Sequence, residues 1–327
     1  MITAISGSSP ATAAAIGAVS IPELERRNYD SRLMLGSLAA GGTLGILIPP
    51  SITLIVYGAM VGESVGQLFI AGVIPGIFLA LLYMAYILVR ALLNSELAPS
   101  ATKVPWKEKF IGLGAIGPVM LLILAVLGTI YLGIATPTEA AALGVTMSCI
   151  LGLISRTLTW QAFKKSLSET LQVTCSIMLI FVGASLISMV LSTVGLPNKV
   201  AAAAATANMS PYAFLLFTYL IYLILGCFFD PMSVLVLTLP VLYPVIAALG
   251  FDSIWFGIIL VILIEAGMIT PPVGLNLYII QGIAPKYRFD EIVKGVIPFF
   301  FIQLLAIGII TVLPFLATWL PSTMKGG

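Results

Sequence analysis

The fold this sequence predicts is an all-α polytopic membrane protein made of inverted repeats, with two re-entrant hairpins and two broken helices. Three observations predict it. The chain of 327 residues is 60% hydrophobic and 9% charged, with a mean hydropathy of +1.14. No soluble domain hides that much apolar surface, so its solvent is a bilayer, where a span needs about 20 apolar residues. The second observation is an internal repeat. Gly72-Val-Ile-Pro75 returns as Gly295–Pro298, the Gly-x-x-x-Pro-Pro of Gly45–Pro50 returns as Gly267–Pro272, and the polar break Gly7–Pro10 has a counterpart in Phe228–Pro231. The three pairs keep their order and one offset of roughly 222 residues. The third is charge. With the loop at 22–32 placed inside, every Lys and Arg of the 15 except Lys199 and Lys325 falls on the inner face, the bias of cytoplasmic loops. That layout opens the first hairpin to the cytoplasm and the second to the periplasm, so the halves are inverted.

The elements follow from hydropathy and from Pro/Gly and charge punctuation. Residues up to about 18 belong to a polar-tipped hairpin, followed by the charged loop Pro22–Arg32. An interrupted span covers 36–61 and a continuous one 68–94, which together with the hairpin make residues 1–94 the C-terminal part of the first repeat. A polar linker at 95–109 lies in the cytoplasm. The second repeat, 110–320, begins with spans near 110–133 and 137–157. Trp160, Phe163, Leu167 and Leu171 share a face and predict a helix lying on the cytoplasmic membrane surface, before a span near 171–196. Ala201–Asn208 is too short and too weakly apolar to cross. A hairpin over 211–249, an interrupted span over 254–284 and a last span over 295–318 complete the repeat. The halves are unequal, which predicts roughly a hundred further N-terminal residues in a full-length form.

Composition also excludes chemistry. Histidine is absent, so Ser-His catalysis, His metal ligation and His proton relays are excluded. Cys149, Cys175 and Cys227 lie in apolar stretches without a CxxC pair and read as packing residues. A net charge of +2 gives no reason to expect nucleic acid. The start, Met1-Ile-Thr-Ala-Ile-Ser6, lacks the basic n-region of a signal peptide.

Paired interruptions at corresponding places in two halves point to a transporter's binding site. Gly7-Ser8-Ser9-Pro10 cannot continue a helix comfortably, and its freed carbonyls and hydroxyls are hard oxygen ligands suited to Na⁺. At Gly45–Ser51 and Gly267–Asn276 consecutive prolines stop the helix, leaving carbonyl ends for a cation and amide ends for an anionic group. Ser51, Thr53, Thr270 and Asn276 add polar side chains there, for ligation or for hydrogen bonds within the helix. Asp230 sits at the second tip, to neutralise a cation or orient the tip. Glu265 is either a functional carboxylate or a hydrogen-bonder between helices. Glu139, in Thr136-Pro-Thr-Glu139, reads as a helix-capping carboxylate.

Several strings resemble one family: Ala4–Gly17, Ala135–Ala142, Phe229-Asp-Pro-Met232 and Ile269-Thr-Pro-Pro-Val-Gly-Leu-Asn-Leu277 are similar to the large membrane subunit of TRAP transporters, the DctM/SiaM type. The resemblance covers essentially the whole chain. It implies an elevator-type, Na⁺-coupled importer of organic anions in a bacterial inner membrane, with no cofactor beyond the coupling ion. It also implies two partners, a small four-span membrane subunit and a periplasmic solute-binding protein. The family's ion sites combine hairpin-tip and broken-helix oxygens. They match Ser6, Gly7, Ser8 and Ser9 with Gly45, Ile48 and Pro49, and Gly226 and Asp230 with Gly267, Thr270 and Pro271. The substrate between the tips would then meet Ser9, Pro10, Thr12, Ser51, Pro231, Pro272, Gly274 and Asn276. Three other readings are weighed beside this one. A binding-protein-independent anion/Na⁺ symporter of the same superfamily differs in its partners. An intramembrane serine hydrolase at Gly7-Ser8-Ser9 lacks a nearby lysine base. A channel fits two opposed hairpins less well than alternating access does. Which carboxylate is carried is not legible.

Overall fold

A computed structural model describes residues 7–94, 97, 106–206 and 209–324. Ser6 and most of the 95–109 linker lie outside the described residues. Fourteen helices and no strand occur among the described residues: α1 Ser9–Arg26, α2 Ser31–Leu47, α3 Ile52–Val61, α4 Val65–Leu93, α5 Trp106–Tyr131, α6 Pro137–Ile154, α7 Trp160–Thr193, α8 Leu196–Thr206, α9 Pro211–Phe228, α10 Pro231–Ala248, α11 Ser253–Met268, α12 Leu275–Ile283, α13 Phe289–Val312 and α14 Phe315–Ser322. Six of them are long and apolar enough to cross a membrane, or seven if α2 and α3, bent by 41° at their break, count as one span. The protein is a multi-pass membrane protein.

The helices begin where the sequence supplies an acceptor for the unpaired N–H groups of a first turn. Asp30 accepts from Leu33 N, Ser64 from Gln67 N, Asp252 from Trp255 N and Ser210 from Ala213 N. At α6 the bonds are reciprocal: Thr136 Oγ1 accepts from Glu139 N at 3.3 Å, while Thr136 N donates to Glu139 Oε2 at 2.8 Å. This is a capping box, so Glu139 caps a helix.

The chain forms two compact units. The first holds α1–α4, α9, the first turn of α10 and α11–α14, and its centre is α11. Every residue of α11 from Trp255 to Met268 is buried, which suits a helix that is apolar all round. Two crossings fix helices around it. Gly36 of α2 meets Gly295 of α13 so closely that a Cβ on either would strike backbone at 2.1 or 2.2 Å, and Gly267 of α11 meets Gly226 of α9 in the same way. Small residues that let backbones approach are the usual packing device inside a bilayer. Tyr57 lays its ring on Gly257 and donates from its hydroxyl to Ser253 O at 2.6 Å, tying α3 to α11.

The second unit holds α5–α8 and residues 235–245. Most of the large apolar side chains of α6 and α7 lie on the surface, the pattern of helices whose solvent is lipid. Three boundaries differ from the sequence expectation. The surface helix at 160–171 and the span after it are one continuous helix, α7, because Trp160–Thr193 contains no proline and Gly183 as its one glycine. The first helix runs past Pro22 to Arg26. The last span ends at Val312, where Pro314 begins a separate short helix.

Candidate functional site

The first unit brings together two helix breaks, the residues that lead into α1 and the α9–α10 turn. In the first break α2 stops at Leu47, Ile48 is extended, Pro49-Pro50 is cis, and α3 restarts behind Ser51. Neither proline has an N–H to continue the ladder. Ser51 is fully buried and accepts from Leu54 N at 3.3 Å, supplying internally the acceptor that water cannot supply at membrane depth. In the second break α11 stops at Met268, Thr270 Oγ1 donates back to Ala266 O at 2.6 Å, Pro271-Pro272 is cis, and α12 restarts at Leu275. Gly274 there has φ +55 and Thr270 O 2.8 Å from where its Cβ would be, a conformation that glycine alone takes without cost.

Each break touches another segment of the chain. Gly7, at φ +58, sits so close to the first break that a Cβ would lie 3.0 Å from Pro50 O. Ser9 and Pro10 then open α1. At the other end, α9 stops at Phe228 and α10 starts at Pro231. Gly274 N donates to Cys227 O at 3.0 Å, joining the second break to the end of α9, and the contact of Gly226 with Gly267 lies one turn away. A further bond links α12 to the start of α1: Asn276 Nδ2 donates to Ser9 Oγ at 2.7 Å, with Ala39 O at 3.4 Å.

The residues named from the sequence therefore divide. Gly7 lies beside Pro50, Ser9 beside Asn276, Gly226 beside Gly267, and Gly274 beside Cys227. Ser9, Thr12, Ser51, Thr53 and Asn276 are at most 1% exposed, and Gly45, Pro49 and Pro231 are buried. Pro271, Pro272 and Asp230 are exposed. The Asp230 carboxylate accepts from Met232 N, Ser233 N and Ser233 Oγ, so it caps its own helix. Ser6 lies outside the described residues.

Sequence reasoning missed the polar cluster behind Ser9. Glu265 is 2% exposed and lies beside the Ser9 hydroxyl. Tyr83 lies near it, with Thr43 beside the Tyr83 hydroxyl. Tyr83 donates to Gln303 Oε1 at 3.2 Å, and Gln303 Nε2 donates to Ile262 O at 3.2 Å. Asn276 Oδ1 and Thr53 Oγ1 are buried without a partner. Two signals were available. Gln303 is a lone amide in an apolar span, and Thr43 stands two residues before Gly45 as Glu265 stands two before Gly267. Among the described residues no three of His, Cys, Asp and Glu gather. The site's donor set is thus hydroxyl, amide and carbonyl oxygens with one carboxylate, which suits a hard cation rather than a transition metal.

At the cytoplasmic end that the charge pattern assigns, Lys286 Nζ lies 2.6 Å from Glu25 Oε2. That bond holds the Glu25 carboxyl below its ordinary range and pushes the Lys286 ammonium up.

Residues 1–316 match the family described as the DctM component of tripartite ATP-independent periplasmic transporters. The chain is similar to a C4-dicarboxylate TRAP transporter large permease protein, DctM, of Vibrio cholerae, 35% identical over all of this chain and 76% of that protein. The DctM of Pseudomonas aeruginosa is 36% identical over 98% of this chain and 75% of its own length. A sialic acid TRAP transporter large permease protein, SiaM, of Vibrio cholerae is 31% identical over all of this chain and 76% of its own.

Proposed function

We propose that this chain, which belongs to the DctM family of tripartite ATP-independent periplasmic transporters, is the large transmembrane subunit of a Na⁺-coupled importer of organic anions that works by alternating access. As a transporter component it is not an enzyme. The observation that carries the reading is that each break meets a second segment: Gly7 against Pro50, and Gly274 N–H on Cys227 O. A broken helix at membrane depth exposes half-helix ends, and here each break is backed by a segment that does not close it off with a continuous helix.

The chemistry follows from the two kinds of end. The carbonyl ends of α2 and α11, with the backbone of the turns, offer hard oxygens to Na⁺. The amide ends of α3 and α12 carry partial positive charge and suit a substrate carboxylate. Sodium bound first would hold turns and breaks together and order the anion site; by linkage the anion must then tighten sodium by the same factor. The relatives named for C4-dicarboxylate and sialic acid carry carboxylates, which supports that substrate class. The partners of this reading are a small membrane subunit and a periplasmic binding protein, and its location is a bacterial inner membrane.

Reconstitution tests it. The chain, the small subunit and the binding protein are placed in liposomes with a panel of labelled carboxylates. Uptake should need all three proteins. Uptake by the chain alone would favour the binding-protein-independent symporter, and no uptake of any carboxylate by the complete set would overturn the reading.

A further inference from the structure

We infer that α7 crosses the bilayer obliquely and that Lys164, beside the aromatic pair Trp160 and Phe163, binds the phosphate of an anionic phospholipid at its cytoplasmic end. The first observation is length. With 34 residues rising 1.5 Å each, α7 is about 51 Å long, while the hydrocarbon core is about 30 Å thick. Residues 174–193 hold no charge and, at about 30 Å, fill that core by themselves. Residues 160–173 are in excess, and they carry the charges of the helix, Lys164, Lys165 and Glu169. No break sets them off, so these first turns do not fold flat onto the surface. Tilted by about 35°, the whole of α7 spans about 42 Å, the thickness of a bilayer with its headgroups, and such a tilt lies within the range that spans adopt.

The second observation is the chemistry of that end. Trp160, Phe163, Leu167 and Leu171 share one side of the excess turns and are 68, 39, 51 and 56% exposed. On an upright helix that stripe would stand in water; on the underside of a tilted one it lies in the headgroup boundary, where tryptophan concentrates. Trp160 and Phe163 stack with ring centroids 5.7 Å apart, and Lys164 Nζ sits 5.5 Å from the centre of the Trp160 ring. The ammonium is thus held at the edge of the stripe, at the depth of its outermost aromatic residue, where lipid phosphates lie. Lys165, one position on, faces away from the stripe and pairs with Glu169 at 3.8 Å. Lys164 has no carboxylate partner among the described residues. Arg156, exposed and four residues before Trp160, adds a second cation at this end. An unpaired cation at the rim of an interfacial apolar stripe is complementary to an anion fixed at the membrane surface, and the anionic lipids of the cytoplasmic leaflet present one.

Fluorescence of Trp160 tests the inference. The chain is placed in phosphatidylcholine nanodiscs that contain a fixed fraction of either phosphatidylcholine or phosphatidylglycerol, brominated near the headgroup end of the acyl chains. The emission that Trp160→Phe removes is the signal, and bromine quenches an indole in contact with it. Comparing the two brominated lipids gives their relative affinity at this end of α7. Phosphatidylglycerol should be preferred about fivefold, the effect of one cation near the surface, and Lys164→Gln should bring the ratio close to one. Both positions are exposed, so neither change disturbs packing. If neither lipid quenches Trp160, the end of α7 stands in water and the inference fails. Equal quenching by both lipids in the wild type, or a preference that Lys164→Gln leaves undiminished, would overturn the assignment of Lys164.

Discussion

Replacing Gly267 by alanine tests the crossing on which the second break depends. A Cβ at Gly267 would lie 2.4 Å from the carbonyl carbon of Gly226, 2.5 Å from its Cα and 2.9 Å from Cys227 N. All three are backbone atoms, so no rotamer change relieves the clash. Restoring ordinary contact separates α9 from α11 by about 1 Å, and α11 is buried on every side. Overpacking of this kind costs about 1–3 kcal/mol. The separation also stretches the Gly274 N–H bond to Cys227 O, now 3.0 Å, worth about another 1 kcal/mol. The total is about 2–4 kcal/mol, against a gain of about 0.5–1 kcal/mol for alanine in an unobstructed helix. Gly308 of α13 has no heavy atom within 4 Å of its would-be Cβ and serves as the control. The reciprocal Gly226→Ala is milder, at 3.0 Å from Ile264 O and 3.2 Å from Gly267 Cα. Thermal unfolding in detergent, followed by tryptophan fluorescence, should rank Gly308→Ala as most stable, then Gly226→Ala, then Gly267→Ala. Gly267→Ala should fall several degrees below wild type at about 2 °C or more per kcal/mol. If Gly267→Ala unfolds together with Gly308→Ala, the backbone contact is not there and the reasoning fails.

The other predictions use the same assay or a simple extension. Asn276→Leu should lower stability by about 1–3 kcal/mol, because it leaves Ser9 Oγ buried beside an apolar group; an unchanged Tm would deny the bond between α12 and α1. Asp230→Ala should cost about 1 kcal/mol through loss of the cap while Asp230→Asn stays near wild type; equal losses in both would mean that the charge, not the cap, matters. The Glu25–Lys286 pair sets a pH window. The lowered carboxyl contributes stability above its unfolded pKa and loses it as pH falls through the lower, folded value. The raised ammonium contributes below its unfolded pKa and loses it as pH rises through the folded one. The Tm difference between wild type and Lys286→Met should therefore be flat from about pH 6 to 9 and shrink below about pH 4. A difference that does not change with pH would assign the effect to packing.

The parts of the fold legible in the sequence are those with a local cause. Pro49-Pro50 and Pro271-Pro272 remove consecutive donors, so the helix ends at Leu47 and Met268 lie where the dipeptides place them. Thr136 and Glu139 carry their capping box in four residues. Boundaries differ where a local signal does not decide the hydrogen bonding. The change from amphipathic to apolar near Leu171 changes which solvent a helix meets without interrupting its hydrogen bonds, so α7 is continuous. Pro22 removes one donor near the end of α1 and is tolerated there. The two breaks were legible in the prolines, but the bonded cluster beside them was not. Ser9 and Asn276 lie 267 positions apart, and no periodicity reports a partner at that distance. Asp230 drew attention as a carboxylate beside a turn, but a side chain at the start of a helix finds its own N–H groups first. Glu265 was visible as a charge in an apolar run; that it lies beside Ser9 was not, because the two are far apart in the chain.

One flux measurement tests directly whether sodium drives the anion inward. Proteoliposomes hold the chain with its small subunit, the binding protein loaded with labelled carboxylate is supplied outside, and an inward sodium gradient is imposed with no proton gradient. Uptake should rise with the gradient and collapse when potassium replaces sodium. Uptake that continues undiminished in potassium would contradict the account.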